Sequence, residues 1–451
     1  MNAPETRIAT DAASRMDREW LEPHWMPYCA NKAFKADPHL FVAGQGAYLT
    51  TTDGRRVYDS LSGLWCTGLG HCRSEITEAI SRQAGKLDFA PAFQFGHPLS
   101  FELANRIVDH MPAGLNRVFF TNSGSEAADT SLKMARAYWR HKGLASKTRL
   151  VGRVRGYHGV GFGGISVGGL VGNRKFYGQT LEADHLPHTQ PANGSFYRGM
   201  PEKGAELTDE LLQLIALHDA SNIAAVIVEP FAGSAGVIVP PQGYLKRLRE
   251  ICTAHNILLI FDEVITGFGR CGAWTGAEFF GVTPDMLNFA KQVTNGAQPM
   301  GGVVVKQEIF DTFMSAPGPG YVAEFTHGYT YSAHPIACAA ALAGIDLLES
   351  DNAMQRVREL APHFEAAVHS LKGAKHVADV RNIGLACGIT LESFPGEPAK
   401  RPYQAAMAMY DKGFYLRSAG DCVALAPPFI STREEIDRVV SALGDTLAKI
   451  D

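Results

Sequence analysis

The chain has 451 residues, of which 46% are hydrophobic and 20% are charged, and its formal net charge is -4. This composition is typical of a water-soluble globular protein, and the small negative charge gives no support for nucleic-acid binding. No apolar run approaches the roughly 18 residues that a membrane span needs. We therefore expect neither a nucleic-acid partner nor a membrane partner.

The N-terminus and the cysteines carry expectations about location and metals. The first twenty residues are polar, lack the apolar core of a signal peptide and predict a flexible lead-in. The eight cysteines form no C-x-x-C pair, which favours a reducing cytoplasm. Cys66, His71 and Cys72 resemble metal ligands, but no second cluster completes a site, so we expect no metal.

The first hundred residues predict short elements joined by aromatic loops. Residues 20–41 are too irregular for one helix and are expected to cover a surface or an active-site mouth. Asp53-Gly54 between two apolar runs predicts a β-hairpin. The glycine-rich stretch 59–71 contains Trp65, which either walls a pocket or lies in the core. A second aromatic loop, residues 89–97, precedes a helix predicted over residues 99–110.

A strand predicted over residues 117–120 leads into Ser123-Gly124-Ser125 and a long helix that ends near His141. Free N–H groups and the positive end of the helix dipole make such a turn suitable for a phosphate, for which Gly124 leaves room. The alternative is that Ser123 or Ser125 simply caps the helix.

The next strand, predicted over residues 149–154, ends in a Gly-Tyr-His-Gly turn. Tyr157 could stack on a planar ring and His158 could hold it, or the aromatic could be buried in a tight turn. The glycines that follow, Gly159, Gly161 and Gly164, form a weak G-x-G-x-x-G match with no helix pattern behind it. We interpret this run as a flexible loop, and residues 185–205 as a further loop.

Strands and helices alternate through the middle of the chain and predict a parallel α/β sheet. The helices are predicted over residues 207–218 and 244–256. The strands are predicted over residues 223–228, 257–261 and 286–290. They end in Glu229, in Asp262 and Glu263, and in Lys291. Each residue alone could be a solvated charge or a polar loop start. Together, an acid and a lysine at strand ends suit pyridoxal phosphate, whose aldehyde forms a Schiff base with a lysine and whose ring nitrogen pairs with a carboxylate.

Beyond Gly302 we predict a strand over residues 303–305 and a helix over residues 336–348. Later strands are predicted over residues 377–381, 385–391 and 422–426. The change of pattern places a domain boundary near residue 335. Arg417, at a predicted strand end, either binds a carboxylate through two hydrogen bonds of its planar guanidinium or forms a surface salt bridge.

The run LLIFDEVITGFGR (258–270) with its downstream lysine, together with SGSEA (123–127), resembles the class III aminotransferases. The stretches VYDSLSGLW, MARAYWR and HGYTYSAHP are closest to the ω-amino acid:pyruvate (β-alanine:pyruvate) group. The resemblance implies fold type I, an α/β fold with a mostly parallel sheet covered by helices and a smaller α+β domain from both chain ends. Residues 1–70 would contribute to the small domain and the active-site mouth, residues 71–335 would form the large cofactor-binding domain, and residues 336–451 the C-terminal domain.

The resemblance also implies residue roles. Lys291 would hold pyridoxal phosphate and act as general base and then acid, and Asp262 would keep the ring nitrogen protonated. The other cofactor-binding residues would be Ser123, Gly124, Ser125, Tyr157, His158, Glu229, Val264 and Thr330, the last from the neighbouring subunit of a homodimer or dimer of dimers. The substrate-binding residues would be Tyr28, Trp65, Phe93, Tyr157, Ala235 and Arg417.

The expected reaction is ping-pong transfer of an amino group from β-alanine, or another ω-amino compound, to pyruvate, giving L-alanine and an aldehyde or ketone. Ser234 stands where ornithine and 4-aminobutyrate aminotransferases carry a glutamate that pairs with the pocket arginine. Arg417 would then lack a permanent partner and could admit uncharged amines. Taurine and polyamine donors remain open, as do an aminomutase or decarboxylase reaction and a non-catalytic scaffold.

Overall fold

The computed structural model describes residues 18–451. Of the flexible lead-in predicted for residues 1–20, all but the last three residues lie outside this range. The strands are β1 (Phe41–Gln45), β2 (Tyr48–Thr51), β3 (Arg56–Asp59), β4 (Leu115–Thr121), β5 (Arg149–Arg153), β6 (Ala183–Leu186), β7 (Ile223–Val228), β8 (Leu258–Asp262), β9 (Met286–Ala290), β10 (Gly301–Lys306), β11 (Val377–Ile383), β12 (Ala386–Leu391), β13 (Phe414–Tyr415), β14 (Arg417–Ala419) and β15 (Cys422–Leu425).

The α-helices alternate with these strands through the middle of the chain. They are α1 (Arg18–Leu21), α2 (Asn31–Ala36), α3 (Ser62–Trp65), α4 (Ser74–Lys86), α5 (Pro98–Val108), α6 (Gly124–His141), α7 (Phe162–Val167), α8 (Val171–Tyr177), α9 (Glu210–His218), α10 (Tyr244–Ala254), α11 (Gly276–Phe280), α12 (Gln307–Met314), α13 (Pro335–Ser350), α14 (Ala353–His369), α15 (Lys400–Asp411) and α16 (Arg433–Leu447). Short 3₁₀ turns cover Ala205–Asp209, Ala220–Asn222 and Lys291–Thr294. Within the described range, no helix combines the length and hydropathy that a membrane crossing requires.

A seven-stranded sheet in the order β4-β10-β9-β8-β7-β5-β6 forms the centre of the molecule. Only β10 runs antiparallel to its neighbours in this sheet. Every residue of β7, β8 and β9 is buried. Alternate side chains enter two different cores: Val226 and Val228 pack in one, and Ala225 and Ile227 in the other. Both faces of the sheet are therefore covered, as expected for parallel strands, and the predicted α/β fold is confirmed.

Two four-stranded sheets complete the fold, in the orders β1-β2-β3-β13 and β11-β12-β15-β14. The hairpin predicted at Asp53-Gly54 is confirmed, because β2 and β3 pair antiparallel around it. Phe414 of β13 pairs in parallel with Tyr58 of β3. This pairing joins the N-terminal segment to the C-terminal one. The proposed domain bounds at residues 70 and 335 stay predictions.

The glycine run after His158 is not the flexible loop that we predicted. Residues 162–167 form helix α7, in which only Phe162 is exposed. Asp129 of α6 fixes this helix by accepting a hydrogen bond from the backbone N–H of Gly164 at 2.8 Å. A Cβ on Gly164 would lie 2.1 Å from the carbonyl oxygen of His158. The glycines serve close packing here, and an apolar-periodicity search cannot detect a helix built from them.

Two smaller predictions were also wrong in detail. The loop predicted for residues 185–205 begins inside β6, because His185 and Leu186 still belong to that strand. Arg417 does not end a strand that starts at Phe414. Leu416 separates β13 from β14, which belong to different sheets, and Arg417 opens the second of these strands.

Candidate active site

The carboxyl ends of the parallel strands bring the predicted polar residues to one edge of the central sheet. Asp262 ends β8, Lys291 follows β9, and Glu229 follows β7. The turn after β5 supplies Tyr157 and His158. Open α/β sheets bind ligands at this edge, where strand ends and helix N-termini face the same space.

Lys291 lies among charged groups of the same edge. It retains some exposure, yet desolvation by its surroundings lowers the pKa of its amine, against the opposing effect of Asp262. The charges of Glu229 and Arg417 also act on this amine. The backbone of Lys291 is left-handed, with φ of 54°, a strained conformation for a residue with a long side chain. The fold thus holds a desolvated amine at a fixed point of this edge.

Asp262 is held from two sides. Its Oδ2 lies 2.8 Å from Nδ1 of the buried His158, and its Oδ1 accepts a hydrogen bond from the backbone N–H of Val264 at 3.2 Å. A His158 tautomer with the proton on Nδ1 donates to the carboxylate. These contacts fix the carboxyl group of Asp262 in one orientation at the end of β8.

Glu229 holds two backbone segments that border the same edge of the sheet. Its Oε1 accepts a hydrogen bond from the backbone N–H of Tyr157 at 3.0 Å, and its Oε2 accepts one from Gly233 at 3.1 Å. Gly233 begins the turn that carries Ala235 and closes at Gly236. Burial raises the pKa of Glu229 to about 7. This carboxyl group therefore positions both the candidate stacking ring and a candidate pocket wall.

The predicted phosphate turn stands at the N-terminus of α6. Ser123 caps this helix, because its hydroxyl accepts a hydrogen bond from the N–H of Glu126 at 3.2 Å. The hydroxyl of Ser125 accepts one from the N–H of Val160 at 3.1 Å. A Cβ on Gly124 would lie 2.8 Å from Val264. The turn and the predicted packing residue Val264 are thus immediate neighbours, and capping does not exclude phosphate binding by the backbone.

Three of the residues predicted to bind substrate, Tyr28, Tyr157 and Arg417, lie close to one another at this edge of the sheet. The hydroxyl of Tyr28, a 69% exposed residue, donates to Asn173 Oδ1 at 3.1 Å. Burial raises the pKa of Tyr157 to about 12, and Tyr28 and Arg417 are close enough to contribute to its electrostatics. Arg417 is exposed and forms no ion pair within residues 18–451.

The other predicted contacts occupy different surroundings. Trp65 is only 4% exposed and packs in a buried cluster with Leu61 and Phe231. Phe93 is 59% exposed, and its ring lies against Gly328. Thr330 is exposed. The roles assigned to these residues stay predictions.

Sequence reasoning missed two residues near the site. Cys66, interpreted as an ordinary thiol, is close enough to Lys291 for the two groups to influence each other's pKa. Arg270 ends the LLIFDEVITGFGR run, yet it received no role. It is 2% exposed and stacks on Trp65, with 5.8 Å between the guanidinium carbon and the ring centroid. Its place in that run was the available signal.

The residues present fit the cofactor that the sequence implies. A desolvated lysine amine lies within the field of a fixed carboxylate, and a glycine-bearing helix N-terminus stands beside them. These are the groups needed for an aldehyde, a pyridine nitrogen and a phosphate. Among the described residues, no group of three or more potential metal ligands occurs.

Comparison with known proteins gives consistent results. The family profile "Aminotransferase class-III" matches residues 31–447. The chain is 58% identical to the β-alanine–pyruvate aminotransferase of Pseudomonas aeruginosa, over 99% of each chain. It is also 58% identical to the ω-amino acid–pyruvate aminotransferase of Pseudomonas putida, over 95% of this chain and 96% of that protein.

Two solved structures share the fold. An (S)-enantioselective ω-transaminase from Thermomicrobium roseum is 31% identical with a TM-score of 0.89, over 99% of each chain. An amine transaminase from an uncultivated Pseudomonas species, solved in its pyridoxal-phosphate-bound form, is 36% identical with a TM-score of 0.86, over 94% of this chain and 98% of that one. The profile match, the two close relatives and the shared fold agree with the motifs and the geometry of the strand ends. The chain belongs to the class III aminotransferases.

Proposed function

We propose that the protein transfers the amino group of β-alanine to pyruvate, giving 3-oxopropanoate and L-alanine by a ping-pong mechanism. The observation that carries this choice is Arg417, which is exposed, has no ionic partner in the described chain and acts electrostatically on both Lys291 and Tyr157. The two relatives at 58% identity, named for β-alanine or ω-amino acids and pyruvate, support the same substrate pair.

The cofactor of this family is pyridoxal phosphate, which supplies an aldehyde for the amino group and a protonated ring that absorbs negative charge. Lys291 would hold the aldehyde carbon and Asp262 the ring nitrogen. Gly124 and its neighbours would hold the phosphate, and Tyr157 and Val264 would pack on the two ring faces. His158 would keep Asp262 oriented through the 2.8 Å contact.

Lys291 is the proposed proton carrier. Desolvation lowers the pKa of this amine and so favours its neutral form, in which Nζ can accept the proton from the amine-bearing carbon of the donor. The same nitrogen then returns the proton to the carbon that takes up the amino group. Asp262 would stabilise the positive charge that the ring nitrogen must keep.

Substrate choice is proposed to depend on Arg417 and on the absence of an acid at Ser234. The guanidinium can hold the carboxylate of pyruvate or β-alanine through two parallel hydrogen bonds. Ser234, in the turn that Glu229 fixes, brings no carboxylate to compete for it. Amines without a carboxylate can then also serve as donors. A putrescine–pyruvate aminotransferase that is 34% identical to this chain keeps polyamine donors as the second candidate.

We further propose a cytoplasmic homodimer, or a dimer of such dimers, with Thr330 reaching the neighbouring active site. All eight cysteines are free, as expected in a reducing compartment. Large aromatic side chains are exposed on the two segments around Phe93 and Thr330, among them Phe95 at 73%, Tyr321 at 83% and Tyr331 at 58%. Such a patch supports an interface with a second copy.

The test is a comparison of acceptors and donors at steady state. With β-alanine as donor, L-alanine formation from pyruvate should exceed glutamate formation from 2-oxoglutarate by at least about tenfold, a difference of 1.4 kcal/mol. Fast turnover with 2-oxoglutarate beside weak turnover with pyruvate would remove the proposal. Turnover with putrescine but not with β-alanine would favour the second candidate.

A further inference from the structure

Arg270 occupies an unusual place between three parts of the chain. Its Nη1 donates to the carbonyl oxygens of Leu385 at 3.1 Å and Pro427 at 2.9 Å, and its Nη2 donates to Ser62 Oγ at 3.1 Å. Ser62 comes from the N-terminal segment, whereas Leu385 and Pro427 come from the C-terminal segment. Arg270 itself follows β8 and Asp262.

All three acceptors are uncharged. Within residues 18–451 Arg270 forms no ion pair, and burial lowers the pKa of its guanidinium to about 10. The cation lies instead between two rings, 5.8 Å from the centroid of Trp65 and 4.8 Å from that of Phe429. Asp59 attracts this cation without forming an ion pair with it. Burying such a charge is costly, so the contacts of the guanidinium with oxygens and rings must help to compensate. A plain packing role would be met better by an apolar side chain.

Nη2 donates to the segment Ser62–Trp65, labelled α3 above, whose dihedral angles are not those of a regular helix and which we call the Trp65 turn. Ser62, Gly63 and Trp65 have φ of 49°, 65° and 69°. The buried carboxylate of Asp59 accepts a hydrogen bond from the N–H of Gly63 at 2.5 Å. The hydroxyl of Ser62 accepts from Arg270 and donates to the carbonyl oxygen of Ala426 at 2.7 Å. This turn therefore depends on contacts from outside its own sequence.

The other two acceptors, Leu385 and Pro427, flank strands of the sheet that carries Arg417. In this sheet Arg417 of β14 pairs with Ala424 of β15, and Pro427 follows three residues later. Leu385 leads into β12, which pairs with β15. The backbone N–H of Leu385 also donates to the carbonyl oxygen of Arg270 at 3.1 Å, so this contact is reciprocal. Arg270 thus connects the Trp65 turn with the strands that position Arg417.

We propose that Arg270 is a positioning residue for the substrate pocket, which fixes Trp65 and Arg417 in one arrangement relative to Lys291. The inference rests on the proposed function, because it assigns Arg417 to the substrate carboxylate. Arg270 touches neither substrate nor cofactor in this account. Its loss should weaken the recognition of carboxylate substrates and leave the binding of the cofactor intact.

The test compares Arg270→Met, which keeps length but removes all donors, with Arg270→Lys, which keeps the charge but not the planar fork. In Arg270→Met the KM values for β-alanine and pyruvate should rise roughly tenfold or more, because a displacement of about 1 Å suffices for such losses. The KM for 1-phenylethylamine, which has no carboxylate, should change less than about threefold. The KM values of Arg270→Lys should lie between those of wild type and those of Arg270→Met. Affinity for pyridoxal phosphate, measured by equilibrium dialysis, should stay within about twofold of wild type.

Arg401→Met is the matched control, because the guanidinium of Arg401 also donates to two carbonyl oxygens of the C-terminal segment, at Glu392 and Ser393, and lies over the ring of Phe394, so it shares neither an acceptor nor a ring with Arg270. It should leave all KM values unchanged. Unchanged KM values in Arg270→Met, or an equal loss for all substrates and for the cofactor, would overturn the proposal. A crystal structure of the variant should show a displaced Trp65 ring, and an unmoved one would contradict the proposal too.

A second variant, Ser62→Gly, and a wild-type assay complete the experiment. If Arg270→Met does not fold, Ser62→Gly removes the hydroxyl acceptor and tolerates the left-handed backbone; an unchanged KM for β-alanine in that variant overturns the proposal. The wild-type protein is assayed in parallel. If it fails with β-alanine and pyruvate, the proposed function falls, whereas a variant indistinguishable from an active wild type disproves only the role of Arg270.

Discussion

At the scale of single residues, the chemistry depends on which of two desolvated lysines lies beside an acid. Burial lowers the pKa of Lys147 to about 8, yet its amine donates to the carbonyl oxygen of Ala220 at 2.7 Å, under the ring of Trp139. Lys291 instead lies within the field of Asp262 and Glu229. Desolvation alone therefore does not distinguish the two lysines, and the neighbouring carboxylates favour Lys291 as the proposed catalytic residue.

Lys291→Ala should lower the rate of amino transfer by roughly 10³-fold or more, because it removes the proton carrier. Lys147→Met should keep the wild-type rate, although it alters a lysine that is only 2% exposed. Both are measured as single turnovers with β-alanine and a fixed amount of bound cofactor. Equal losses in the two variants would mean that the assay reports general damage to the fold.

Glu263 should make stability depend on pH. Burial raises the pKa of this carboxyl to about 7, although the N–H of Ala277 and the hydroxyl of Thr266 donate to it. Since the folded protein binds this proton more tightly than the unfolded chain does, the stabilisation is complete below about pH 4.5 and is lost as the pH rises through 7. The free energy of unfolding of wild type, measured relative to that of Glu263→Gln, should therefore fall by about 3 kcal/mol between about pH 4.5 and pH 7.

Urea unfolding of both proteins at several pH values measures this difference. The surface substitution Glu202→Gln, at an exposed position, serves as the control and should show no such trend. A difference between wild type and Glu263→Gln that stays constant from pH 4.5 to pH 7 would contradict the raised pKa.

At the scale of elements, the turn between β4 and α6 combines a helix N-terminus with a glycine that admits no side chain. In Gly124→Ala the new methyl group would lie 2.8 Å from Val264 and push apart the proposed phosphate turn and the residue proposed to pack on the cofactor ring. The affinity for pyridoxal phosphate should fall roughly tenfold, the loss expected for one weakened bond to a charged group. Equilibrium dialysis measures it directly.

Gly85→Ala is the matched control for that substitution. Gly85 lies in the last turn of α4, and a Cβ there would meet nothing within 4 Å. The variant should bind cofactor normally and gain up to about 1 kcal/mol of stability. Wild-type cofactor affinity in Gly124→Ala would show that the turn is not the phosphate site.

The elements show what the sequence could and could not predict. Apolar runs with clear ends, such as β7 and β9, were predicted with their observed bounds, because burial on both faces leaves a continuous signal. Helix α7 was missed because glycines carry no periodicity. Asp262 and Lys291 lie at strand ends as predicted, because the strand ends follow from those runs, and their roles stay predictions. The partners of Arg270 could not be found, since Ser62, Leu385 and Pro427 meet only through the tertiary fold.

At the scale of the whole molecule, the proposed dimer predicts that each active site needs residues from two chains. Thr330→Glu places a carboxylate where the neighbouring site would hold a phosphate, so this variant should be inactive. Lys291→Ala should be inactive for a different reason. Refolding the two together should restore activity, because a mixed dimer has one site with an intact Lys291 that receives Thr330 from the other chain.

The expected recovery is about half of the wild-type activity per mixed dimer, since the second site carries both defects. Mixing is followed by differently tagged chains, and each variant refolded alone is the control. If Thr330 acted in its own chain, both sites of the mixed dimer would stay defective. No recovery from verified mixed dimers would therefore contradict the shared site.

One site of the protein is proposed to take an amino group from β-alanine and to pass it to pyruvate through a cofactor held by Lys291. The most direct test is the visible absorption spectrum of the purified protein, recorded alone, after β-alanine and again after pyruvate. The band of the lysine-bound cofactor should disappear with the donor and return with the acceptor. A yellow protein that β-alanine leaves unchanged would contradict the proposed donor, and a colourless protein that takes up no pyridoxal phosphate would contradict the assignment of Lys291.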